Sequence, residues 1–346
     1  MMNNRNNLPK RIESIQLIRA FSAFTISLSH IPFTSENGWN IVFGVDIFLI
    51  LTGFLEMYVI ENEQEFSLRK FWIKKITRIL PLYWIITIAT FFASRYFGES
   101  LSITELLKSL LLIPYSKIST MTETMVVRPI VGPAHTLMYD MYFYIIYGIA
   151  AKINRKYRGI ISSIVILIIY LCGRLIKHGN IYLSFYSNYW VINLVFGIAL
   201  YYLYKRMRIK GECKNDNYLW IALFIISILA FIFVSRIKIS GFYNVLFKCI
   251  PAFIFIISVI KIFEKRHISK LFVRIGDISY SYYLIHYYCL FAAQCIFGDF
   301  RVFNARNLII ALVSLAIAEI MALLSWHLIE RRLCGVVRNK LLSNIN

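Results

Sequence analysis

The chain has 346 residues, of which 59% carry hydrophobic side chains and 16% are charged, with a formal charge of +20 at pH 7. A mean hydropathy of +0.64 is too apolar for an ordinary soluble enzyme and points to a polytopic helical membrane protein with no separate soluble domain. The order of the charges speaks against a nucleic-acid binder, because basic residues recur loop by loop instead of gathering on one soluble face.

Apolar runs of the roughly 17 to 25 residues needed to cross a bilayer fall at 12–33, 41–60, 79–97, 133–151, 159–176, 189–204, 218–235, 242–262, 275–297 and 306–330. A weaker stretch at 101–114 reads as interfacial or re-entrant. With the N-terminus in the cytoplasm, the inside segments hold 26 of the 38 Lys and Arg, among them Arg5, Lys10, Lys214 and Lys265. That is a positive-inside pattern with both termini cytoplasmic. The expected fold is all-α: one polytopic transmembrane helical bundle over 1–346, of about ten spans. Basic residues ahead of the first span imitate a signal peptide, but no small-x-small cleavage site follows His30, so the segment is expected to be retained. The six cysteines, Cys213 among them, are scattered without metal-ligand spacing, and neither a disulfide framework nor a metal site is expected.

The first span carries Arg19 and His30. Ionisable side chains are costly in a membrane unless they face protein or a wet cavity, so they mark a functional site. Eleven helical steps bring the two to within about 20° of one face and about 16 Å apart along the axis. The second span places Asp46 near its outer end and Gly53 at mid-depth. The carboxylate either tethers neighbouring helices or orients a catalytic group, and the glycine permits close backbone approach. The third span is entered through Lys75 and Arg78, with Pro81 in its first turns. Their i, i+3 spacing aims both cations one way, a fork suited to phosphates if it does more than anchor the helix. His135 and Asp140 open the fourth span from outside. A buried acid is costly without a partner, and orienting His30 is its most economical use. The ninth span holds Ser279, Tyr280, Ser281 and His286, and the tenth holds Glu319. His286 and Glu319 fit either helix–helix hydrogen bonding or the lining of a cavity.

Five pieces in order, Arg19-x10-His30, Gly44-Val-Asp-Ile-Phe-Leu-Ile-Leu-Thr-Gly-Phe54, Lys75-x-x-Arg78-Ile-x-Pro81-x-Tyr83, Thr136 to Tyr144 and Ser279-Tyr-Ser-x-Tyr-Leu-x-His286, resemble the acyltransferase 3 family of integral membrane acyltransferases. Within it the chain looks most like the exopolysaccharide and O-antigen O-acetyltransferase branch, and the resemblance covers about 12–332. It implies an acyl-CoA donor, acetyl-CoA as co-substrate, no permanently bound cofactor, and a sugar hydroxyl in a surface polysaccharide or lipid-linked oligosaccharide as acceptor. It further implies that Arg19, Lys75 and Arg78 contact the donor and that His30 serves the chemistry, and it suggests a bacterial cytoplasmic (inner) membrane. Three positions depart from the pattern: Lys75 stands for an arginine, His135 for a tryptophan and Asp140 for a glutamate.

The expected mechanism makes His30 the general base, with Asp140, helped by Asp46, orienting it and stabilising the imidazolium. His135, Tyr83, Ser279, Tyr280 and His286 are assigned to substrate binding. The alternative from another class is a multi-span transporter or flippase of lipid-linked sugars. Its expected mark, broken helices at corresponding positions of two halves, does not appear in the sequence.

Overall fold

The computed structural model describes residues 11–36, 43–98, 100–118, 125–127, 129–176, 180–210, 217–237, 243–264 and 266–344. In chain order these form α1 (Glu13–Ser29), α2 (Pro32–Glu36), α3 (Phe43–Glu61), α4 (Leu68–Tyr96), α5 (Ile103–Leu110), α6 (His135–Ile153), α7 (Arg158–Leu175), α8 (Ile181–Tyr186), α9 (Trp190–Lys210), α10 (Asn217–Ser235), α11 (Ile250–Ile262), α12 (Lys270–Phe297), α13 (Ala305–Ser325) and α14 (Cys334–Ser343). Ser116–Ile118 pairs antiparallel with Met125–Val127 as a short ribbon between α5 and α6. π-helical segments, Val245–Cys249 and Trp326–Leu333, lead into α11 and α14. Arg5, Lys10, Cys213, Lys214, Lys265 and the first residues of the spans expected at 41 and 242 lie outside the described residues.

Among the described residues, five stretches are long and apolar enough to cross a membrane: Phe43–Glu61, Leu68–Tyr96, Arg158–Leu175, Asn217–Ser235 and Ala305–Ser343. Their outer faces need lipid. On α10 alone, Leu219, Ile225, Ile226, Leu229, Ile232 and Phe233 are all exposed, an apolar surface that water would penalise and a bilayer solvates. The chain is a multi-pass helical membrane protein.

Two of the boundaries that differ from the sequence reading have a local cause. The apolar run of the third span starts at Ile79, but α4 begins at Leu68, where the Ser67 hydroxyl accepts from the Lys70 N–H. Apolarity marks bilayer depth, whereas the cap marks the helix start. Lys75 and Arg78 therefore project from a formed helix, and Pro81 lies in its interior instead of its first turns. The first span ends early: α1 stops at Ser29 with His30 as its C-cap, since Ile31 precedes Pro32 and is disfavoured in the helical region. Pro32 then opens α2, a position where its missing N–H does no harm.

The chain divides into two compact units, Met1–Gln64 with Ile192–Met321 and Glu65–Val191 with Ala322–Asn346. In the first unit α1 packs along α12 and α3, and α11 packs on α3 and α10. Ser22, Thr25, Ser27 and Ser29 give α1 a hydroxyl-rich surface, and each hydroxyl donates to a carbonyl three or four residues back. Small side chains whose donors are already satisfied allow close packing in apolar surroundings. A Cβ on Gly276 of α12 would overlap the Gln16 backbone, and Gly53 of α3 and Gly197 of α9 oppose each other at a similar crossing. Glu61 and Lys205 form an ion pair at the far ends of the same two helices.

In the second unit Phe71 of α4 packs against Gly148, Tyr144 and Tyr147 of α6. Tyr83 is fully buried, and its hydroxyl donates to the Ser109 carbonyl at 2.7 Å. Ser109 Oγ in turn lies 3.0 Å from the Tyr115 hydroxyl and accepts from the Ile130 N–H at 3.0 Å, so one residue joins α4, α5 and the approach to α6. Arg158, the first residue of α7, is 3% exposed; its Nε donates to the Tyr147 hydroxyl at 2.8 Å.

Candidate active site

The Arg19–His30 interval is helical throughout, with His30 at φ −93° and ψ −2° closing α1. Both side chains therefore leave one side of the helix about 16 Å apart along the axis. Both are partly buried.

The structure brings a second histidine to His30. His30 Nδ1 lies 2.9 Å from His286 Nε2, with ring centroids 5.1 Å apart and planes inclined by 31°. His286 is fully buried, and its Nδ1 lies 3.0 Å from the Tyr282 carbonyl oxygen. One turn away, the Tyr282 hydroxyl donates to Ser27 Oγ at 2.9 Å, and Tyr287 meets the His30 ring edge-on at 5.6 Å. Ser279, Tyr282 and His286 fall at i, i+3 and i+7, one stripe of α12, and the close approach at Gly276 brings that helix against α1. The result is a hydrogen-bonded thread between α1 and α12.

Asp46 sits elsewhere in the same unit. It is fully buried, Asn193 Nδ2 donates to its Oδ1 at 2.7 Å, and Lys248 in the first π-helical segment attracts it electrostatically. This ties α3 to α9, one of the two uses the sequence left open. Asp46 Oδ2 and Asn193 Oδ1 make no bond among the described residues.

Ser279 is buried in the wall of a cleft of about 290 Å³, lined chiefly by Leu17, Phe21 and Phe24 of α1, Tyr282 of α12 and Glu319 of α13. The Ser279 hydroxyl has no partner among the described residues. Tyr280 is partly buried on the next face of α12.

The second unit holds the other candidates. The Lys75 ammonium lies over the rings of Tyr144 at 4.7 Å and Phe71 at 5.4 Å, a seat that holds a cation by its attraction to the ring faces. Arg78, three residues on, is exposed. Asp140 is partly buried one turn before Tyr144, on the same face of α6. His135 Nδ1 is 3.1 Å from the Gly132 carbonyl oxygen, its ring is 5.0 Å from Trp190, and Tyr139 and Phe185 stack beside it. Tyr83 has its hydroxyl committed to Ser109 within the fold.

These helices carry a known family pattern over nearly their whole length: the profile of the acyltransferase 3 family, an acyltransferase domain, matches residues 12–326. The chain belongs to the acyltransferase 3 family. It is 23% identical over 252 residues to the exopolysaccharide production protein ExoZ of Rhizobium meliloti, covering 71% of this chain and 76% of that protein. It is 30% identical over 105 residues to the peptidoglycan O-acetyltransferase OatA of Listeria monocytogenes, a stretch of 29% of this chain and 16% of that longer protein. No solved structure matches it. As a family member the chain is an acyltransferase.

Two partners escaped the sequence reading. Nothing links His286 to His30 across 256 positions, although both are histidines in apolar helices. Asn193 as the partner of Asp46 has a sequence signal, a lone amide in an otherwise apolar span.

Proposed function

We propose that the chain is a membrane O-acyltransferase that moves an acyl group, acetyl in the simplest case, from acyl-CoA to a hydroxyl of a surface polysaccharide or its lipid-linked precursor. Membership of the family, with relatives named for exopolysaccharide production and peptidoglycan O-acetylation, supports the reaction class. The observation that carries the site is the His30 imidazole, held by hydrogen bonding at the end of a helix that also bears Arg19.

In the proposed reaction His30 takes the proton of the acceptor hydroxyl as its oxygen attacks the thioester carbonyl carbon. The C–O bond forms, the C–S bond breaks, and the proton passes from the imidazolium to the departing CoA thiolate, so no proton is left over. Arg19, Lys75 and Arg78 are assigned to the donor's phosphates and Asp140 to the acid of the family pattern. His135, Ser279 and Tyr280 are assigned to the acceptor. The topology that goes with this is about ten spans, both termini cytoplasmic, in a bacterial inner membrane.

Deletion of the gene, followed by mass analysis of surface glycans before and after mild base, tests the proposal. Loss of a base-labile ester is expected. Glycans identical in the deletion strain and its parent would overturn the substrate class.

A further inference from the structure

We infer that His286 is a positioning residue that fixes which nitrogen of His30 carries the reactive lone pair. The inference rests on the reading of His30 as the general base and adds the device that readies it. The chain of bonds runs one way. A carbonyl oxygen only accepts, so the 3.0 Å contact with the Tyr282 carbonyl puts a proton on His286 Nδ1. A neutral imidazole protonated there presents an acceptor at Nε2. That acceptor lies 2.9 Å from His30 Nδ1, so His30 donates from Nδ1, and its lone pair is assigned to Nε2.

Three observations make this more than a passing contact. His286 is fully buried, so its tautomer is set by protein groups and not by exchange with water. The Tyr282 hydroxyl is bonded to Ser27, one turn from the histidine contact on each helix, which fixes the register of α12 on α1. The Gly276 approach to Gln16 fixes their separation. Carboxylates usually serve this orienting purpose in acid–base sites, stabilising the imidazolium as well as choosing the tautomer. A neutral histidine chooses the tautomer without adding a buried charge, which the apolar surroundings would make costly.

The test compares His286→Phe, His286→Gln and His286→Met with wild type and His30→Ala, all reconstituted in lipid, in acyl-CoA-dependent turnover. Gln offers an oxygen that can accept from His30 Nδ1 and an amide that can donate towards Tyr282; Met matches its length without either. H286F is expected to lower kcat by about 10²-fold, the size of a typical acid–base contribution, with KM for the donor within twofold, and H286Q to recover at least tenfold of the loss. Should H286F fail to accumulate, H286Q is still expected to turn over at least ten times faster than H286M. Equal kcat for H286Q and H286M, or wild-type kcat in H286F, would overturn the role of His286 while an inactive H30A left His30 as the base. An active H30A would overturn both.

Discussion

Gly276 of α12 lies so close to Gln16 of α1 that no other residue fits without moving one helix. The contact falls one end of the α1–α12 interface from the histidine pair, with the Tyr282–Ser27 hydrogen bond between them. Gly276→Leu is expected to cost about 1–3 kcal/mol, as overpacking does, seen as a lower melting temperature in detergent. Because the same interface holds His30 against His286, turnover per folded molecule should fall as well. Wild-type turnover in a folded G276L protein would show that the two histidines do not depend on this spacing.

Asp46 and Asn193 make a sharper pair of predictions. Asn193→Leu leaves a buried carboxylate without its donor, a loss of about 1–3 kcal/mol or more, whereas changing both residues to leucine should cost less than N193L alone. Thermal unfolding of the three proteins compares them. If tethering is the chief use of Asp46, Asp46→Asn should keep turnover within about threefold, well inside the 10²-fold scale of an acid–base group. A loss of that larger size would return Asp46 to the chemistry.

Tyr83→Phe removes the donor from the buried Ser109 carbonyl and should destabilise by about 1–3 kcal/mol, with KM for donor and acceptor unchanged. A raised KM at unchanged stability would instead give Tyr83 the substrate contact that the sequence suggested.

Arg78 is exposed on α4 and Lys75 is seated on Tyr144 and Phe71. If both meet phosphate, Arg78→Ala should raise KM for acyl-CoA about tenfold, the worth of roughly one charge-assisted hydrogen bond, with little change in kcat. Lys75→Met should do the same, and Lys75→Arg should leave KM near wild type. Competition by CoA fragments with and without the 3′-phosphate locates the contact.

Much of this was legible in the chain itself. Hydropathy located the apolar helices, and the Arg19–His30 spacing survives because α1 has no break between them. Boundaries were less readable where capping and proline decide them: Ser67 starts α4 before the apolar run, and Pro32 stops α1 at His30. The lateral contacts were hidden for another reason. Periodicity says which residues share a face of one helix, but not which face of another helix meets it. His286 was visible as a polar residue in α12 and Asn193 as one in α9, and only the packing at Gly276 and Gly53 decides that they meet His30 and Asp46.

The most direct measurement is acyl transfer by the purified protein in lipid vesicles, supplied with acetyl-CoA labelled in the acetyl group and a polysaccharide acceptor. Ester formed on the glycan and free CoA thiol are counted together. Wild type is expected to release one thiol per ester, and folded His30→Ala to form ester at least about 10²-fold more slowly. Ester formation by H30A at the wild-type rate would contradict the assignment of His30.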